Sequence, residues 1–152
     1  AALGDADGAI QFLSDSANLF ESAGLDVVRA STLAFLALEY AKLQRPGEAR
    51  TAIAQVEEVL RARACDVEES QRIFWVCAQV HRMTGDTKAA ASHLQTAYDD
   101  YRGARRVIKD PEAQRAFDAL DFNREIVAAH ADDVWPAHVH CSADLYGRPH
   151  SL

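Results

Sequence analysis

The stretch LAFLALEY, residues 33–40, followed by ARTAI, residues 49–53, decides how this chain reads. Its markers are Leu33-x-x-Leu36-Ala37-x-x-Tyr40 and Ala49-x-x-x-Ile53. The same spacing returns as Phe74-x-x-Cys77-Ala78-x-x-His81 and Ala90-x-x-x-Leu94. The interval from Tyr40 to Ala49 equals that from His81 to Ala90. The second half also occurs upstream, as Ala9-x-x-x-Leu13. The marker alanines Ala9, Ala49 and Ala90 are thus almost evenly spaced. Within each half the spacings of three and four put the markers on one helical face. A period of about 40 residues, built from two helical halves, predicts stacked helical hairpins.

Position by position these residues resemble the tetratricopeptide pattern, with Leu33 at the Trp position, Ala37 at the Gly position and Ile53 at the Phe position. The likeness covers roughly residues 4–102. The unit here is longer than the usual tetratricopeptide unit of about 34 residues, and HEAT-type units of about 40 are the rival reading. Small residues favour the first. Ala37 and Ala78 lie in helix A of each pair, facing Ala49 and Ala90 of helix B, where short side chains let two backbones approach. The fold class expected is all-α, a right-handed superhelix of antiparallel helix pairs. It divides into a repeat domain over residues 1–131, with an incomplete first repeat and capping helices over 110–130, and a C-terminal tail over 132–152.

Composition agrees with helix. Half the chain is apolar (49%), with only seven glycines and four prolines in 152 residues. Glycine and acidic caps punctuate it. Gly4-Asp5 and Gly85-Asp86 read as equivalent turns, and Gly24 as a left-handed helix end. Pro46 suits a first helical turn, Asp66-x-x-Glu69 resembles a capping box, and Asp110-Pro111 opens a further helix. Alternating β-branched runs and Asn-Gly turns, the signals of strand, are absent. The formal charge of −7 disfavours nucleic acid as a partner. No apolar run approaches the roughly 20 residues of a membrane helix, and no basic-then-apolar leader opens the chain. Three widely spaced cysteines, Cys65, Cys77 and Cys141, argue against a disulfide framework. A cytoplasmic setting is expected. The chain begins at Ala1 without an initiator methionine, the expectation for a fragment or a processed chain.

Asp110-Pro111-Glu112-x-x-Arg115-x-Phe117, followed by Asn123-Arg124-Glu125-Ile126, resembles the close of helical arrays at the C-terminal end of large bacterial signalling ATPases and transcription regulators. This likeness covers residues 110–126, and the chain is one residue shorter between Phe117 and Asn123. It implies a sensory module that binds a small effector. The tetratricopeptide likeness implies instead a scaffold that binds a peptide or partner domain in a concave groove walled by the A helices.

Carried onto this sequence, the inward positions of the first full repeat are Ser31, Ala34, Leu38 and Ala41. Those of the second are Arg72, Trp75, Gln79 and Arg82. An aromatic between two arginines is a common interface anchor, and arginine grips carboxylates with paired hydrogen bonds. The groove is therefore expected to take a protein or peptide partner, with an acidic segment the favoured ligand. Cover of Trp75 by the C-terminal helices near Phe117 and Phe122, or by the tail, is the alternative. The apolar face of residues 6–22, with Ile10, Leu13 and Phe20, is expected to be covered by an upstream helix or by a second copy in a homo-oligomer.

No enzyme signature is present: no phosphate loop, no His-Glu-x-x-His, no nucleophile elbow. No catalytic residue, no cofactor and no metal site is expected. His138, His140 and Cys141 in the tail are weak metal-ligand candidates, because a structural site wants four ligands at firm spacing. His81, at the Tyr position, reads as a hydrogen-bonded, half-buried histidine. His93 is assigned no role. Cys77 reads as an inert core thiol, and Cys65 as reactive only if Arg63 lowers its pKa. Arg102, Arg105, Arg106 and Lys109 complement a helix C-terminus, with an anion site the lesser reading.

Overall fold

The computed structural model describes residues 2–62 and 69–136, and the side chains from residue 5 onward. They form seven α-helices and no strand: α1 (Ala2–Ala23), α2 (Asp26–Lys42), α3 (Pro46–Ala62), α4 (Ser70–Met83), α5 (Thr87–Val107), α6 (Pro111–Asp118) and α7 (Asp121–Asp132). The protein is all-α over these residues. Helices α2 and α3 form one hairpin, α4 and α5 a second, and α2 packs along α4. At one end α1 lies on α2. At the other, α7 lies across α4 and α5, and α6 bridges α5 to α7.

The turns explain the hairpins. Gly24 and Gly85 have φ of 72° and 83°, the left-handed conformation that glycine adopts without a Cβ clash. Leu25 N–H then reaches Phe20 O at 2.9 Å, and Asp86 N–H reaches His81 O at 2.9 Å. This is the six-to-one bond of a Schellman end. Helix α2 ends the same way without a glycine. Gln44 has φ of 58°, and Arg45 N–H reaches Tyr40 O at 2.9 Å. Two aspartates cap helix starts as expected: Asp86 accepts from Ala89 N–H at 3.0 Å, and Asp110 from Ala113 N–H at 2.9 Å.

One expected turn does not form. Gly4-Asp5 lies inside α1, which runs unbroken from Ala2. A glycine stops a helix only where the chain leaves in the left-handed region, and among the described glycines only Gly24 and Gly85 do so. The capping-box residue Asp66, with Arg63 and Cys65, lies outside the described residues. Glu69 sits at the start of α4 in the left-handed region without capping it by its side chain.

Small residues lie where the pattern puts them. Ala37, Ala49 and Ala78 are fully buried, and Ala90 nearly so. The larger core cluster joins α1 to α4 around Leu33, Phe35, Leu38, Ile53 and Val56. The smaller joins Trp75, Ala78, Leu94 and Ala97 to Ile126 and Ala129 of α7. Ile10 and Leu13 of α1 pack half-buried on the larger cluster, so part of the face expected to need an upstream helix or a second copy is covered within the chain, against α2. The exposed apolar residues of α1 are its neighbours Phe12 and Leu19.

Candidate functional site: a closed A-helix wall and an acidic cleft

The wall expected to be an open groove is covered. Trp75 is 2% exposed. Its indole Nε1–H donates to Glu125 Oε2 of α7 at 2.8 Å, and Trp135 stacks on it at 5.2 Å between centroids. Gln79 is buried, its Nε2 donating to Trp75 O at 3.3 Å. Arg72 pairs with Glu69 at 3.7 Å and lies over the Phe122 ring. Arg82 is exposed, its guanidinium 4.6 Å above the Trp135 ring. In the first repeat Leu38, Ala34 and Ala41 are buried and Ser31 is half-buried. Of the six residues expected to meet a partner, Trp75, Gln79 and Leu38 thus lie inside the fold. The physical reason is the apolar face of α7. Ile126 and Ala129 need burial, and the Trp75 indole offers them the largest surface on α4.

Polar bonds fix this cover. Asn123 of α7 is fully buried, with Nδ2 donating to Phe117 O at 2.8 Å. Gln71 of α4 lies 3.5 Å from its Oδ1. Beside them, Asp118 accepts from Tyr101 Oη–H at 2.6 Å and from Arg105 Nε–H at 2.9 Å. The Arg105 bond holds the Asp118 carboxyl below its usual range, against some desolvation. Burial first, and then the Asp118 bond, pushes the Tyr101 phenol up to about 12. Arg105, one of the four C-terminal cations, is thereby committed to an ion pair. Gln114 Nε2 donates to Ile108 O at 2.9 Å, satisfying the end of α5.

The open concavity lies on another side. A cleft of about 970 Å³ runs between α3 and α5, floored by the start of α4. Leu60, Phe74, Val107 and Phe117 give it apolar patches. Glu57, Glu69, Asp99 and Asp100 line it, against Arg61 as the single arginine or lysine among the described residues of its wall. Asp100 is tied to Ser70 Oγ at 2.8 Å. Residues 63–68, between α3 and α4 in the chain, lie outside the described residues.

At the inner edge of the cleft, where Glu57 and His93 line it, three helices bring titratable groups together. Glu57 of α3, His81 of α4 and His93 of α5 each place one ligand-type atom within 4.8 Å of the others. His93 Nε2 is 2.8 Å from Glu57 Oε1, and His93 Nδ1 is 2.9 Å from Ala89 O. The His81 and His93 rings are 4.7 Å apart. His81 is 7% exposed, and neither of its ring nitrogens has a hydrogen-bond partner. The expected hydrogen-bonded histidine is therefore corrected: its Tyr-like position buries the ring, but no acceptor or donor among the described residues comes within reach. Burial first, and the neighbouring His93 second, lower its pKa and keep it neutral.

Sequence reading passes over this cluster for a plain reason. Its members are far apart in the chain and come one per helix, so no local spacing motif contains them. The signal that was present is the repeat register, which stacks α3, α4 and α5 in order. The tail candidates His138, His140 and Cys141 lie outside the described residues. Cys77, one turn before His81, is fully buried, and burial pushes its thiol up to about 12, so it stays protonated.

A scan against protein-family models, a search of curated proteins and a search of solved structures each returned no match.

Proposed function

We propose that this chain is a tetratricopeptide-type hairpin module, wound as a right-handed superhelix, that binds a cationic, partly apolar segment of another protein in the cleft between α3 and α5. The carrying observation is the charge of that cleft, with four carboxylates and one arginine around apolar patches. A lysine- or arginine-bearing segment neutralises this rim and places its apolar residues on Phe74 and Phe117. The acidic ligand expected of the A-helix wall is replaced by a basic one, because Trp75 and Gln79 are already engaged within the fold. The role is one of binding, without a chemical step.

Selection from a random peptide display library against the purified chain tests this. Enriched peptides carry lysine or arginine beside an aromatic or aliphatic residue. Asp99→Lys, in the cleft wall, removes the enrichment. Enrichment of acidic peptides, or of none, refutes the reading. The effector-binding module is the second reading, favoured by the cleft volume, which lies in the range of small-molecule sites. It predicts saturable binding of small organic cations to the same wall.

A further inference from the structure

We propose that Glu57, His81 and His93 form a site for one divalent transition-metal ion of the zinc class, at the inner wall of the α3–α5 cleft. Two imidazoles and a carboxylate are a donor set that zinc uses with its remaining position open. Nitrogen donors favour zinc or cobalt over magnesium or calcium, which prefer oxygen alone.

Three observations converge. The ligand atoms of Glu57, His81 and His93 already lie within 4.8 Å of one another. With metal–ligand bonds of about 2.0–2.2 Å, tetrahedral neighbours sit about 3.4 Å apart. An ion would thus spread the 2.8 Å His93–Glu57 contact slightly and draw the widest pair in by up to about 1.4 Å. Glu57 is 37% exposed at its side chain and free to make that movement.

The second observation is His93. Its Nδ1 donates to Ala89 O at 2.9 Å, and Nε2 faces Glu57 at 2.8 Å, so an ion there takes the place of the proton that Nε2 and Glu57 share and releases it to water. Metal-bound histidines are characteristically fixed this way, one nitrogen donating to a carbonyl and the other binding the ion. The third is His81, a nine-tenths-buried imidazole with both nitrogens unpartnered. Such a group lacks the partner that buried polar atoms nearly always have. A bound ion supplies one of its nitrogens with that partner, and the buried neutral ring is the form that ligates. Arg50 of α3 and Asp86 at the start of α5 also act on His81, with opposite signs. Cys77 acts as no ligand, its thiol being protonated and outside the cluster. Because Glu57 and His93 line the cleft, the ion's open position is reached from it.

The test is metal binding by the chelator-treated full chain, followed by Co²⁺ ligand-field absorption and Zn²⁺ calorimetry. The tail holds other possible ligands, so the same measurements are made on His138→Ala/His140→Ala/Cys141→Ala. The expected result is one ion per chain in both proteins, with a nitrogen- and oxygen-ligated cobalt spectrum. Glu57→Gln and His93→Ala each weaken Zn²⁺ binding by about tenfold or more. His81→Phe removes it. Should His81→Phe fail to fold by circular dichroism, the two less buried variants decide the matter. The proposal is overturned if no ion binds, if binding survives both Glu57→Gln and His93→Ala, or if the tail variant alone abolishes it. Its test is separate from that of the peptide reading, since the metal alone is the probe, and an ion on Glu57 leaves Glu69, Asp99 and Asp100 as the carboxylates of the cleft.

Discussion

Replacing Trp75 by phenylalanine perturbs the contact that closes the A-helix wall. The indole is 2% exposed and makes two separable interactions. Its Nε1–H donates to the Glu125 carboxylate at 2.8 Å, and a hydrogen bond to a charged group contributes about 1.5–3 kcal/mol. Phenylalanine also lacks two buried ring carbons, worth about 0.8 kcal/mol each as buried methylenes. The sum is a loss of about 3–5 kcal/mol, large against the roughly 5–15 kcal/mol that separate folded from unfolded domains. Urea unfolding followed by far-ultraviolet circular dichroism reads it. Glu125→Leu, which leaves the indole no acceptor, isolates the bond in a double-mutant cycle. Coupling between the two changes should be about 1–2 kcal/mol, because each removes the same contact. Loss of the Trp75–Trp135 stack should also change the near-ultraviolet spectrum. A stability change under about 0.5 kcal/mol, the scale of a surface substitution, would show that α7 does not cover Trp75.

Three further outcomes follow from particular residues. Ala78→Leu, at a fully buried position beneath α5 and α7, overpacks the core and lowers stability by about 1–3 kcal/mol; an unchanged melting temperature contradicts the packing. Gln44→Gly relieves a left-handed non-glycine residue at the end of α2 and raises stability by about 0.5–1 kcal/mol, measured by thermal melting. A lower melting temperature would mean that the unfolded chain's gain in freedom outweighs the relief. Asp118, its carboxyl held below the usual 3.8 by Arg105, gives stability that is complete above about pH 5 and lost as pH falls through the lowered folded value. Asp118→Asn is therefore less stable than the parent at neutral pH, with a shallower decline toward acid. Parallel pH profiles for the two proteins would remove the Arg105 pairing as its cause.

The near-even spacing of Ala9, Ala49 and Ala90 makes the hairpins legible, and Ala49 and Ala90 are buried where two helices meet closely, while Ala9 is half-buried. The capping residues Asp86 and Asp110 are legible for the same kind of reason, since a cap acts over three residues of local chain. Gly4 misleads because its role depends on where the chain goes next, which the residue alone does not encode. Trp75 stands out as an aromatic between two arginines, and whether it lies open depends on α7, far downstream in the chain. Cover by the C-terminal segment, the alternative for this residue, is the arrangement found. The Glu57–His81–His93 cluster is not legible, since each helix contributes a single side chain and only the stacking joins them.

The binding face is the claim on which the functional reading turns, and amide chemical-shift mapping tests it most directly. The labelled chain is titrated with a lysine-rich peptide bearing one aromatic residue, and separately with a glutamate-rich peptide of equal length. Saturable shifts from the lysine-rich peptide alone, confined to Leu60, Phe74, Thr96, Asp99, Asp100 and their neighbours around the cleft, are the predicted result. Shifts centred on Ser31, Arg72 and Arg82, or an equal response to the glutamate-rich peptide, would contradict it.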